Sequence, residues 1–226
     1  AASPTFLLLP PLNIDISLQQ AAAVAAGGQQ YPAAALYVVA TPIGNLADLS
    51  LRAIHVLALA DAVACEDTRV SAGLLRHLGV DKPLLSVHEH NETDAAQAVI
   101  GRLALGQRVA YVSDAGTPAV SDPGAVLVLA VRTAGYRVLP IPGPSSMIAA
   151  LSVAGDALGR DFVFVGFLPT KAGERGEAVR QIAAETRASV LFEAPHRIEA
   201  LLRLLAQVAP ARHVTLCREL TKQFET

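Results

Sequence analysis

Five short segments hold most of the residues that could do chemistry: TPIGN (41–45), EDTR (66–69), HEHNE (88–92), SDAGTPAVSDPG (113–124) and PGPSS (142–146). Glu66 and Asp67 set two carboxylates beside the cation Arg69. A carboxylate can act as a base or orient a hydroxyl, and a guanidinium can hold a phosphate or steer the hydroxyl. The same residues admit a structural use, in which Glu66 or Asp67 caps the next helix and pairs with Arg69. His88 and His90 stand two apart, so on a strand they share a face, and Glu92 could add a third metal ligand. No distant His or Cys motif completes such a site. The structural alternative makes His88 a satisfied, half-buried side chain.

The SDAGTPAVSDPG run can bring several backbone N–H and C=O groups close to a ligand, with Gly116 removing side-chain bulk. Its Ala, Val and Pro residues predict a mostly apolar pocket, suited to a molecule with an aromatic base, a sugar and one charged end. The 16 glycines include no G-x-G pair and no G-K-[ST] sequence occurs, which disfavours the common dinucleotide and nucleoside-triphosphate loops.

The elements that must position these segments are legible as short apolar runs alternating with amphipathic stretches. Strands are expected at 36–40, 62–65, 84–88, 108–112 and 138–141. Helices are expected from the cap Ser50 to Leu59, through Leu74, Leu75 and Leu78 to Gly79, over 94–105, and from Pro123 to Thr133. This alternation predicts βαβ units and a mainly parallel sheet, in which ligands sit beyond the carboxyl ends of the strands. Each of the five polar segments follows a strand, which favours one shared site over five ordinary turns. In the second half, strands are expected at 162–165, 189–193 and 214–217, with a helix from Pro195 to Ala206.

Charge shifts along the chain: residues 1–159 carry 8 basic and 12 acidic side chains, residues 160–226 carry 10 and 8. With the Pro142-Gly143-Pro144 break, this predicts an α/β domain over 36–143 and a second over 144–226, the latter truncated at its carboxyl end. Residues 1–35 read as a poorly structured leader. Apolar residues make up 52% of the 226 and charged residues 17%, so disorder is excluded as a global state. A net charge of −2 shows no overall polybasic character, and no Trp with 4% aromatics would supply a stacking platform for nucleic acid only thinly. Binding to RNA would then require concentrated positive charge, a shared groove in a dimer, or an assembled particle as the target. Two distant cysteines, Cys65 and Cys217, fit a reducing compartment, and the absence of a basic n-region or long apolar stretch makes a cytoplasmic protein the expectation.

VATPIGNLADLSLRA (39–53), ACEDTR (64–69), HEHNE (88–92), YVSDAGTPAVSDPG (111–124) and PIPGPSS (140–146) resemble the ribosomal RNA small subunit methyltransferase I family, within the tetrapyrrole-methylase superfamily. GFLPTK (166–171), FEAPHR (192–197) and RELTK (218–222) extend the resemblance from about Leu36 to Glu225. It implies a two-domain tetrapyrrole-methylase-like α/β fold, with a mainly parallel sheet in the first domain and a mixed sheet in the second. It implies a homodimer that binds S-adenosyl-L-methionine between the domains and methylates the 2′-oxygen of a cytidine ribose in the decoding region of 16S ribosomal RNA. By position, Pro42, Ser113, Asp114, Ala115, Gly116, Thr117, Val120, Ser121, Ser145, Ser146, Phe167 and Ala194 are then cofactor residues. Ser146 stands where Ala is more frequent, and Ala194 where Ser is common. Glu66, Asp67 and Arg69 become catalytic candidates, and Asn45, His90, Asn91, Lys171, Arg197 and Lys222 contacts for RNA. Arg175 and Arg218 would add to the basic patch. Methyl transfer needs no metal. The competing expectations are a small-molecule methylase of the tetrapyrrole type and a non-catalytic adenosyl-ligand-binding protein of RNA processing.

Overall fold

A computed structural model of the chain describes residues 17–88, 90–155 and 161–225. In chain order its elements begin with α1 (Leu18–Ala26), β1 (Ala35–Val39), α2 (Leu51–Leu59), β2 (Ala62–Cys65), α3 (Thr68–His77), β3 (Leu84–Ser86), α4 (Glu92–Ala104) and β4 (Arg108–Val112). They continue with α5 (Gly124–Thr133), β5 (Arg137–Ile141), α6 (Ser146–Val153), β6 (Phe162–Phe167), α7 (Ala172–Ala184), β7 (Ala188–Phe192) and α8 (Ile198–Val208).

The first five strands form one parallel sheet in the order β3-β2-β4-β1-β5. Their sequences are apolar on both faces because both faces are covered. Tyr37, Val39, Val63, Cys65, Ala110 and Val112 pack on one side with α1, α2 and α3. Leu36, Ala64, Val109 and Tyr111 pack on the other with α4 and α5. Local signals set the helix starts. Ser50 accepts the Ala53 amide at 3.1 Å and opens α2, while Asp67 opens α3 in the same way.

In the second half, β6 and β7 pair in parallel around α7, a single βαβ unit, and Leu168, Val179, Ile182, Leu201 and Leu205 form a separate cluster. The expected mixed sheet is not found: the described residues give only this parallel pair. The expected strand at 214–217 is irregular chain, with Val214 and Leu216 exposed. Alternating apolar residues make a strand only where a neighbouring edge takes their hydrogen bonds, and among the described residues no strand pairs with 214–217.

The expectation of a poorly structured leader lies outside the described residues for 1–16 and does not hold for 17–35. Ser17 and Gln20 form a reciprocal capping box, and Ala22 and Ala26 are buried. Gln19 Nε2 donates to the carbonyls of Leu78 and Gly79 at 2.9 and 2.8 Å, clamping α1 to the end of α3. The run of small Ala side chains hid an amphipathic helix.

Candidate functional site

β1 and β4 are neighbours, yet the chain leaves β1 towards α2 on one face and leaves β4 towards α5 on the other. Loops part at such a point and open a crevice at the carboxyl edge of the sheet. Here the loops are stitched across it. The Thr41 amide donates to the Gly116 carbonyl at 2.9 Å, and the Gly116 amide returns a bond to Thr41 at 3.1 Å. Thr41 Oγ1 donates to the Ser113 carbonyl at 3.2 Å, and Thr117 Oγ1 to the Pro144 carbonyl at 2.9 Å. Gly116 has φ +83°, and a Cβ there would lie 3.3 Å from Ile43 Cγ2. Only glycine meets both demands comfortably. The segments after β1, β4 and β5 are thereby one unit.

The loop after β2 joins them, because the Asp67 amide donates to Asp114 Oδ1 at 3.0 Å. Its two carboxylates have opposite environments. Asp67 Oδ1 accepts the Arg69 amide at 2.8 Å, and Arg69 Nη2 donates to Asp67 Oδ2 at 2.6 Å. Those bonds hold the Asp67 carboxyl down to about 2. Glu66 is half-buried, and burial, followed by the charges of Asp114 and Asp122, pushes its carboxyl up. The environments of these adjacent carboxylates push their pKa values in opposite directions. Asp67 caps α3 and grips Arg69, the structural use that its position also admits.

The other expected cofactor residues differ in exposure and position. Ser113 is buried, whereas Asp114, Ala115, Thr117 and Ser121 are exposed, and Val120 is 51% exposed. Pro42 is half-buried beside Thr41. Ser145 is the cap residue of α6 and Ser146 its first residue, and no side chain bonds that end of the helix. From the second half, Gly166 approaches the same loop: a Cβ on it would stand 3.9 Å from Ser121 Oγ. The next residue, Phe167, is 59% exposed and meets the Phe192 ring edge-on with centroids 5.6 Å apart. Ala194 is half-buried after β7.

The expected RNA contacts fare differently. β3 ends at Ser86, so His88 and His90 do not share a strand face, and their ring centroids are 6.3 Å apart. Among the described residues, no group of three His, Cys, Asp or Glu is placed to hold a metal. Asn91 uses its side chain locally, accepting the His88 amide at 2.8 Å and donating to the Ser86 carbonyl at 3.0 Å. The HEHNE segment also follows an edge strand, two positions from β4. Asn45 Oδ1 accepts the Ala47 amide at 3.0 Å in the turn after β1. Arg197 does not face solvent: its side chain is 19% exposed, Nη2 donates to the Leu168 carbonyl at 3.1 Å, and Nε lies 3.2 Å from Glu193 Oε1. It ties β6, β7 and α8 together. Lys171 is exposed and pairs with Glu174 at 3.1 Å, and Lys222 pairs with Glu219 at 3.1 Å while packing against Gly44. Two residues beneath the loop, Tyr111 and Asp122, were not singled out by sequence. Asp122 reads as an ordinary Asp-Pro-Gly turn residue, and nothing in a strand run marks Tyr111 as its partner.

Residues 35–226 match the family model described as Tetrapyrrole (Corrin/Porphyrin) Methylases. The chain is 53% identical over 191 residues to a protein of Neisseria meningitidis serogroup B named Ribosomal RNA small subunit methyltransferase I, covering 84% of this chain and 65% of that protein. It is 50% identical over 192 residues to a protein of the same name from Xylella fastidiosa, covering 84% of this chain and 70% of that one. The crystal structure of a cobalamin biosynthetic enzyme, cobalt precorrin-4 methyltransferase, superposes with a TM-score of 0.62 at 17% identity, covering 85% of this chain and 83% of that one. At that identity the likeness speaks for the fold alone. The chain spans about two thirds of the length of the first two relatives. The matched residues include every strand of the parallel sheet and all the loops stitched at its carboxyl edge, and the chain belongs to the tetrapyrrole (corrin/porphyrin) methylase family, beside the proteins named Ribosomal RNA small subunit methyltransferase I.

Proposed function

We propose that this protein is an S-adenosyl-L-methionine-dependent methyltransferase that acts on the 2′-oxygen of a cytidine ribose in the decoding region of 16S ribosomal RNA. The observation that carries the reading is the unit made by Thr41, Ser113–Thr117 and Pro144, with Gly166 of the second half close to Ser121 of the same loop. Its chemistry fits the cofactor. Val120 and Phe167 offer apolar surface for a purine and an aliphatic chain, and Asp114, Thr117, Ser121 and Ser145 offer polar groups for a ribose and an amino acid. Pro42, Ala115, Gly116, Ser146 and Ala194 complete the lining, and the open first turn of α6 suits a carboxylate. The named relatives support ribosomal RNA as the substrate.

Bound S-adenosylmethionine supplies a methyl group on a sulfonium, already activated for in-line displacement. The protein's share is to orient the reactants, exclude water and take one proton. Glu66 accepts the proton of the ribose 2′-hydroxyl, its raised pKa making it a better base than an ordinary carboxylate. Arg69, steadied by Asp67, holds an RNA phosphate with its remaining N–H groups. Asn45, His90, Lys171 and Lys222 border the approach. The domains divide at 143/144, and the exposed Ile148 and Val153 of the apolar helix α6 support a homodimer. A cytoplasmic site of action agrees with a ribosomal target, and no helix among the described residues is long and apolar enough to cross a membrane.

The test is transfer of labelled methyl from S-adenosylmethionine to isolated small ribosomal subunits, to naked RNA and to porphyrinoids, followed by mapping of the product. One labelled cytidine ribose in the small subunit supports the reading. Label on a base or only on a porphyrinoid overturns it.

A further inference from the structure

We infer that Tyr111 and Asp122 are a positioning pair that fixes the Val120–Ser121 wall of the cofactor site. The inference rests on reading loop 113–121 as the place where S-adenosylmethionine binds. Tyr111 is fully buried on β4, and its phenol donates to Asp122 Oδ1 at 2.7 Å. The same oxygen accepts the Gly124 amide at 2.9 Å, and Oδ2 accepts the Ala119 amide at 2.8 Å. Both carboxylate oxygens are therefore occupied, by donors from β4, from the loop and from the first turn of α5.

What they hold is unusual backbone. Ala119 has φ +64°, a left-handed conformation that residues with a Cβ rarely adopt without outside support. Gly124 supplies the room: a Cβ there would lie 2.1 Å from Tyr111 Cε1 and 2.7 Å from Asp122 Oδ1. Any side chain at 124 would displace either the phenol ring or the carboxylate. With Ala119 and Gly124 pinned on either side of Asp122, Val120 and Ser121 are directed outward, where Ser121 faces Gly166. Burial and the Asp122 charge push the Tyr111 phenol far above its ordinary range, so it remains a donor at any working pH. Tyr111 is fully buried and both oxygens of the half-buried Asp122 are already bonded to Tyr111, Ala119 and Gly124, so the role inferred for the pair is to set geometry.

The experiment titrates S-adenosylmethionine by calorimetry into the whole chain and into Tyr111→Phe and Asp122→Asn, well below the melting temperature of each. Tyr111→Phe keeps the ring and loses only the O–H. Asp122→Asn keeps one acceptor but turns an NH2 toward the Ala119 amide. Loss of a hydrogen bond to a charged group at the loop is expected to weaken cofactor binding about ten-fold in Asp122→Asn, and less in Tyr111→Phe. In methyl-transfer assays the cofactor KM should rise by more than kcat falls. Lower melting temperatures with wild-type Kd and KM in both variants would overturn the inference and leave the site assignment standing. If Asp122→Asn does not fold, Tyr111→Phe decides. No binding by the wild-type chain would overturn the site assignment and the inference with it.

Discussion

The backbone amide of Asp67 donates to the carboxylate of Asp114 at 3.0 Å, anchoring the loop after β2 on the loop after β4. That bond brings a negative charge close to Glu66, and with burial and Asp122 it raises the Glu66 carboxyl while Asp67, gripped by Arg69, is held low. Under the proposed function, structural anchoring and proton acceptance are divided between these adjacent residues. The division has consequences that can be measured.

Replacing Glu66 by Gln should reduce methyl transfer by about two to four orders of magnitude, the usual worth of a positioned base, and leave cofactor binding intact. Stability should move the other way. A raised carboxyl favours the fold when protonated and loses that contribution as pH rises through its folded pKa. Gln mimics the protonated form, so the melting temperature at pH 7 should stay level or rise. A fall in both activity and melting temperature would assign Glu66 a structural role.

The same shift sets the acid limb of the rate. Glu66 must be ionised to accept a proton, so kcat/KM should fall below a pKa higher than the ordinary 4.5 of a glutamic acid. A pH–rate profile on small subunits checks this, and the limb should vanish from the residual activity of Glu66→Gln.

Asp67 behaves oppositely. Its carboxyl is at about 2 in the fold against an ordinary 3.8, so its stabilisation is fully present above 3.8 and disappears as pH falls through 2. Asp67→Ala should melt below wild type at pH 7, with the gap closing as acid is added. Thermal melts across pH 2–7 are the measurement. A gap independent of pH would contradict the Arg69 pairing.

Arg197→Ala should act on stability and not on RNA affinity. Arg197 is largely buried against Glu193, whose side chain is 3% exposed, and removing one partner of a buried ion pair typically costs about 3 kcal/mol. Denaturant unfolding should show that loss, while the salt dependence of subunit binding stays unchanged. A reduced salt slope with wild-type stability would return Arg197 to the RNA interface.

The sheet was legible because buried parallel strands are short apolar runs and each helix start carries a local signal, such as Ser50 or the reach of Asp67. The convergence of TPIGN, EDTR, SDAGTP and PGPSS was legible for the same reason: strand ends of a parallel sheet share an edge. Side-chain direction was not. His88 and His90 would share a face only on a continuous strand, and β3 stops at Ser86, where the Asn91 turn makes a local hydrogen-bond choice. Arg197 lay in a motif and carried charge, but only the fold shows Leu168 and Glu193 around it. The bond from Tyr111 to Asp122 joins residues of a strand and a loop, a pairing that no periodicity encodes.

A crystal structure grown with S-adenosylmethionine tests the central claim most directly. The account predicts the cofactor against Ser113–Thr117 and Val120–Ser121, with Phe167 on its other side and its methyl group on the side of Glu66. Full occupancy at any other place on the chain, or none at saturating concentration, would contradict it.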